Sequence, residues 1–185
     1  MELVKLGVAT GGNHRSHPGK AVASMIAPGS DFAFVENNPL FELYDIEYVN
    51  HVPRIARNDR QVAINQALNV DLTGQVAAES FGPTLFSGPG GQLAWTIGAM
   101  YSRGGRAIHV LPSTTEDGSR SRIVPLLSAG TVATVPRTFV DFVVTEHGVV
   151  NLQGKTEAER ARALISIADP HFRDELTAKA KELFG

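Results

Sequence analysis

Ser87-Gly88-Pro89-Gly90-Gly91-Gln92 joins an apolar run to a stretch of helical spacing. Glycines at such a junction let the backbone approach a ligand closely and take up positive φ without a Cβ penalty. N–H groups gathered at a helix start can converge on an oxyanion or a phosphate. Pro89 has no N–H, so the donors on offer are Gly88, Gly90, Gly91 and Gln92. The same residues also suit a plain, tight strand-to-helix turn, and residue types alone leave both readings open. No GK[ST] follows, so this is not a Walker A loop, and it does not match the dinucleotide fingerprint. There is no GxSxG nucleophile elbow.

Two carboxylates border apolar segments: Glu79 in AAES before FGPTLF, and Glu146 in VVTEHG after FVDF. A carboxylate at a buried strand end is a candidate for a shifted pKa and a role in a site. It is equally suited to accepting N–H bonds from a turn. Asn50, closing IEYVN, is an amide able to orient a ligand or cap the next turn. His14 and His17 have no carboxylate nearby in sequence to complete a metal set, so a solvated loop is expected there and no metal. His51 and His109 are isolated, which suits hydrogen-bonded structural roles. Residues 113–122 form a polar loop that either caps a site or only connects two strands.

These residues need elements to hold them. Short apolar runs bounded by Gly, Pro, Asn or Asp predict strands at 31–36, 46–50, 61–67, 83–86, 107–112, 123–127 and 139–145. AIHVL and FVDFVV are nearly continuous in apolar character, as expected of strands covered on both faces. Helical spacing appears at 20–26 and at 92–102, where Leu93, Ile97 and Tyr101 share a stripe. Thr156 and Glu159 have capping-box spacing ahead of Ala158, Ala161, Ile165 and Ala168. A second helix is expected after Asp169-Pro170, with Phe172, Leu176 and Ala180 on one face. The expected fold is α/β: a mixed sheet flanked by helices and closed by a C-terminal helical pair.

At 185 residues with 43% apolar and 19% charged, this composition suits a single globular domain. Net charge is −2, which argues against nucleic-acid binding or a polybasic membrane anchor. With no cysteine, disulfides, thiolate catalysis and cysteine-based metal sites are excluded. No apolar run reaches the roughly 18 residues that span a bilayer, so a cytoplasmic protein is expected.

Several segments, taken in order, resemble a known family. They are Val62-Ala63-Ile64-Asn65 with Val70-Asp71-Leu72-Thr73-Gly74-Gln75-Val76, SGPGGQ, Leu111-Pro112-Ser113-Thr114 with Ser121-Arg122-Ile123-Val124-Pro125, Val144-Thr145-Glu146-His147-Gly148, and Ala168-Asp169-Pro170-His171-Phe172-Arg173. Over essentially the whole chain this is similar to the C-terminal half of the acetyl-CoA hydrolase/transferase family, nearest its 4-hydroxybutyrate and butyrate CoA-transferase branch. The resemblance implies a CoA-transferase-type α/β domain in an enzyme that moves coenzyme A between an acyl-CoA and a small carboxylate. In that chemistry a glutamate attacks the thioester, giving an acyl-glutamyl anhydride and then a glutamyl-CoA thioester.

By the same resemblance, Gly91 supplies an oxyanion N–H, Asn50 and Glu146 match site residues, and Leu68 matches a CoA contact. CoA and acyl-CoA are then substrates, and no covalently bound cofactor is expected. The family nucleophile lies in an acidic segment just before the matching residues, and neither it nor the N-terminal CoA-loop domain is present in this sequence. The loop that often carries a lysine reads Thr115-Glu116-Asp117 here. The expectation is one half of a transferase, inactive alone, that pairs with an N-terminal domain and self-associates. Acyl-CoA hydrolysis and a non-catalytic CoA- or partner-binding module are the alternatives.

Overall fold

The structure is a computed structural model describing residues 2–26, 29 and 32–185. Its elements are, in order, α1 (Glu2–Lys5), β1 (Ala21–Ala23), α2 (Phe32–Val35), β2 (Phe41–Leu43), α3 (Ile46–Val49), α4 (Val52–Ala56), β3 (Val62–Gln66), β4 (Asn69–Asp71), β5 (Val76–Ala77), β6 (Ser80–Phe81), β7 (Thr84–Leu85), α5 (Gln92–Tyr101), β8 (Arg106–Val110), β9 (Ile123–Val124), β10 (Phe142–Thr145), β11 (Gly148–Asn151), α6 (Glu157–Ser166) and α7 (Arg173–Phe184).

The main sheet has the order β11-β10-β8-β3, with β3, β8 and β10 parallel and β11 antiparallel at one edge. A smaller sheet, β5-β4-β9, carries Val70, Leu72, Val76 and Ile123 into the core. That core continues through Leu111, Val143, Leu152, Leu164 and Leu176, so the α6–α7 pair closes the domain. Helix α6 starts where expected, with both halves of the Thr156–Glu159 capping box formed. Helix α5 lies over Ala63 and Ala107 through Trp95 and Ala99. It crosses α4 closely at Gly98, where a Cβ would stand 2.5 Å from Ile55 Cγ2.

Several local expectations give way to tertiary pairing. Residues 20–26 are not helical: Ala21–Ala23 forms a strand parallel to Phe41–Leu43. Residues 46–50 are helical rather than extended, because the Asp45 carboxylate accepts the Tyr48 N–H at 2.8 Å and caps α3. Residues 32–35 are helical as well, and Asp31 of that expected strand lies outside the described residues. The run at 139–145 becomes strand only from Phe142, since Arg137–Phe139 forms a 3-10 turn.

The expectation of strands covered on both faces also fails within this chain. Burial alternates along β8 and β10. Register places Ile64, Ile108 and Phe142 side by side on one face, with Val110, Val144 and Val149 in the next row. Ile64 is 68% exposed and Val149 63%, so this apolar face is open at its two edge strands and half-buried between them.

Candidate functional site

Strands β3, β8 and β10 run in one direction, so Gln66, Val110 and Thr145 end together. Ligands of open parallel sheets bind beyond such carboxyl ends, and this is where the candidate residues gather. Gly91 caps the N-terminus of α5 with φ −97°, a conformation open to any residue. It must be glycine for space: a Cβ would lie 2.6 Å from Asn50 Oδ1, 2.9 Å from Asn50 Nδ2 and 2.9 Å from Trp95 Cδ1. Gly90 is glycine for the opposite reason, with open space around it and φ +55°.

Asn50 terminates α3, and its Oδ1 accepts the Trp95 indole N–H at 2.9 Å. An indole nitrogen only donates, so the amide is held with Nδ2 as its free, donating end. Among the described residues, the N–H groups of Gly88, Gly90 and Gly91 make no hydrogen bond, and Gln92 N–H reaches Pro89 O only at 3.4 Å. The structure therefore brings the Asn50 amide beside Gly91 at the start of α5.

The Gln92 side chain points elsewhere. It is buried, and its Nε2 lies 3.4 Å from Gln66 O and 3.2 Å from His109 Nδ1, anchoring α5 to the sheet. His109 Nδ1 is then an acceptor, and burial pushes this imidazole down to about 4. What Gln92 leaves for a ligand is its backbone.

Glu146 follows β10 and ties to the residue after Pro112. Its Oε1 accepts the Ser113 hydroxyl at 2.5 Å and its Oε2 the Ser113 N–H at 2.9 Å. Burial pushes the Glu146 carboxyl up, but the bonds from the Ser113 hydroxyl and backbone outweigh it and hold the group below the usual range. His147 Nε2 stands 3.7 Å from Glu146 and 3.6 Å from Asp169. Among the described residues, no hydrogen bond or ion pair joins Glu146 to Asn50 and Gly91. Leu68, after β3, is half-buried, with its N–H on Ala77 O at 2.8 Å and its carbonyl on Arg122 Nη1 at 3.1 Å. Glu79 is buried, accepts the Thr134 hydroxyl at 2.9 Å, and takes the Phe86 N–H on its carbonyl at the base of the glycine loop.

Loop 115–120 closes on itself. Hydroxyls of Thr115 and Ser119 and the Ser119 N–H bond to Asp117, holding its carboxyl down to about 2. His17, expected in a solvated loop, instead bridges Glu42 at 2.5 Å and the Tyr48 hydroxyl at 2.6 Å. Trp95 and this histidine chain are the residues that local sequence reading missed. Both depend on partners distant along the chain. Among the described residues, no group of three or more His, Asp or Glu is arranged to hold a metal ion. A groove of about 280 Å³ lies between α6 and α7.

The acetyl-CoA hydrolase/transferase C-terminal domain family matches residues 30–180. A 4-hydroxybutyrate coenzyme A transferase of Clostridium kluyveri is 48% identical over 185 residues, which are 100% of this chain and 43% of that protein. A succinyl-CoA:cyclohexane-1-carboxylate CoA transferase of Geobacter metallireducens is 41% identical over 99% of this chain and 42% of its own length. The crystal structure of a 4-hydroxybutyrate CoA-transferase from Porphyromonas gingivalis superposes with a TM-score of 0.82 at 38% identity, covering 100% of this chain and 43% of that one. This chain thus spans well under half the length of these relatives. On the family match and these identities, it belongs to the acetyl-CoA hydrolase/transferase C-terminal domain family.

Proposed function

We propose that this domain is the C-terminal half of an acyl-CoA:carboxylate CoA-transferase. The observation that carries the reading is the Asn50–Gly91 donor pair, fixed by Trp95 at the start of α5. Each step of a CoA exchange passes through a tetrahedral oxyanion, and fixed donors at that position lower its energy without reorganisation. The nucleophilic glutamate comes from the N-terminal half. Neither carboxylate singled out in this chain is free for the role, since Glu79 is buried on Thr134 and both oxygens of Glu146 face Ser113.

The open apolar sheet face supports a partner half. Parallel sheets are ordinarily covered on both faces, and here Ile64, Ile108, Phe142 and Val144 share one face with Ile64 exposed and the other three half-buried. That half brings its own glycine-rich CoA loop, and the assembled enzyme self-associates. Gly88, Gly90 and the Gln92 backbone line the approach of the thioester, with Leu68 on the CoA side. Among the described residues, no helix is long and apolar enough to cross a membrane, and the reading implies a cytoplasmic enzyme of short-chain acid metabolism.

The test is complementation. This chain is mixed with an N-terminal half carrying the glutamate, then given butyryl-CoA and labelled acetate. Label entering acetyl-CoA only in the mixture is expected. Robust exchange by the lone chain overturns the half-enzyme reading. Release of free CoA without new thioester would assign hydrolysis instead.

A further inference from the structure

A recess of about 530 Å³ lies where β3 begins, within the about 300–1,000 Å³ typical of small-ligand sites. One wall is the glycine-bearing loop 8–14, and the other is the turn 58–62 that leads into β3. The two walls are tied together, since buried Asn58 accepts the Arg15 N–H at 3.0 Å. The turn is also sewn to the start of β8: Arg60 N–H donates to Arg103 O and Arg106 N–H to Gln61 O, both at 2.9 Å. Gly91 lies past the opposite ends of these strands, and the run from Val62 to Gln66 alone is roughly 13 Å.

Cations dominate this end of the domain. Arg15 and Arg103 both pair with Asp59, at 2.8 and 2.5 Å, so one carboxylate is shared by two guanidiniums. Arg60 lines the recess, and Arg106 stands in register beside its lining residue Val62, on the sheet face away from α5. Among the described residues, neither Arg60 nor Arg106 has a carboxylate within ion-pair distance. Four arginines thus gather around one aspartate in a chain whose net charge is −2. The loop adds neutral donors: among the described residues, the N–H groups of Gly11 and Asn13 make no hydrogen bond, while Gly12 N–H reaches Thr10 Oγ1 at 3.3 Å. Arg60 holds φ +55°, a left-handed conformation that disfavours any residue with a Cβ.

Several guanidiniums and free N–H groups around one concave space exceed what a single carboxylate can use, whereas a multiply charged oxyanion engages them all. We infer that this recess binds a diphosphate or triphosphate, the charged part of a nucleotide. Its oxygens take the Arg60 guanidinium and the Gly11 and Asn13 N–H groups, with Arg106 at the rim. Arg15 and Arg103 add the positive charge that Asp59 alone does not cancel. Val8, Ala9 and Val62 supply apolar wall for a sugar or base. A free nucleotide and the pyrophosphate of coenzyme A share this chemistry, and the place of the recess at the strand starts, away from Gly91, favours the free nucleotide. The inference does not depend on the transferase reading.

The test follows the backbone amide signals of this chain by NMR during titration with sodium pyrophosphate at constant ionic strength. Sodium sulfate is the control for simple charge, and ADP and coenzyme A are separate arms. Saturable shifts at Gly11, Gly12 and Asn13 are expected with pyrophosphate and with ADP, and far weaker ones with sulfate. Arg60→Gly should weaken pyrophosphate binding about 10- to 100-fold, the worth of a charge-assisted bond. The same variant should not lower the urea midpoint, since glycine takes φ +55° freely. Unchanged binding in the folded Arg60→Gly protein overturns the inference. So does a titration without saturation, one that sulfate matches, or one whose shifts centre on Gly88–Gln92. Shifts at the recess with coenzyme A but with neither pyrophosphate nor ADP would seat the coenzyme tail there and overturn it as well.

Discussion

Replacing Gly91 by alanine isolates space as the reason for glycine at this position. The new Cβ would stand 2.6 Å from Asn50 Oδ1, whereas ordinary contact begins at 3.4 Å, so something must move by about 0.8 Å. Trp95 cannot retreat, because it packs against Ala63, Ala99 and Ala107. Asn50 therefore shifts, and its 2.9 Å bond from the indole N–H is lost or lengthened. Backbone strain does not enter, since φ of −97° is open to alanine. A donor displaced by about 1 Å costs on the order of 100-fold in rate, within the about 100- to 1,000-fold seen when an oxyanion donor is removed. The contact itself costs stability about 1 kcal/mol. In the reconstituted pair, butyryl-CoA/acetate exchange should lose kcat on that scale, while urea unfolding shows a loss of only about 1 kcal/mol. An unchanged kcat in a folded Gly91→Ala protein would refute the reasoning.

Trp95→Phe keeps most of the ring packing and removes only the indole donor. It should release the Asn50 amide and lower kcat while leaving KM for acyl-CoA near its parent value. Gly98→Ala puts a Cβ 2.5 Å from Ile55 Cγ2, so chemical unfolding should show a loss of about 1–3 kcal/mol from overpacking. Thr156→Ala removes the hydroxyl half of the α6 capping box and leaves the bond from the residue-156 N–H to Glu159, and the same measurement should show a loss of about 1 kcal/mol. His109 binds its proton in the unfolded chain near 6.5 but in the folded chain only at about 4. Between those values the unfolded state holds more protons, so this group makes stability fall as pH falls, by up to about 1.4 kcal/mol per pH unit. Its ring signals should titrate near the lower value by NMR, and a midpoint near 6.5 would contradict the buried assignment.

What was legible in the sequence was local. The α6 start follows from Thr156 and Glu159, whose mutual bonds need no other part of the chain. Strands β3 and β8 and helix α5 follow from short-range apolar spacing, and Asn50 and Gly91 from the family pattern. The Trp95 bond that holds the Asn50 amide beside Gly91 was not legible, because Trp95 and Asn50 are 45 positions apart. The chain from Arg54 through Tyr48 and His17 to Glu42 was hidden for the same reason, with partners 6, 31 and 25 positions apart. Misread elements share a physical cause. Segments of three or four residues carry too little local preference, and a side-chain cap at Asp45 or a parallel partner at Phe41–Leu43 decides them.

The most direct test of the transferase account is mass analysis of the N-terminal half after incubation with acyl-CoA, with and without this chain. A glutamyl-CoA thioester on the partner is predicted only when this chain is present, sensitive to hydroxylamine and sharply reduced by Asn50→Ala. Formation of the adduct at full yield without this chain, or its absence from an assembled pair, would contradict the assignment of the oxyanion donors to Asn50 and Gly91.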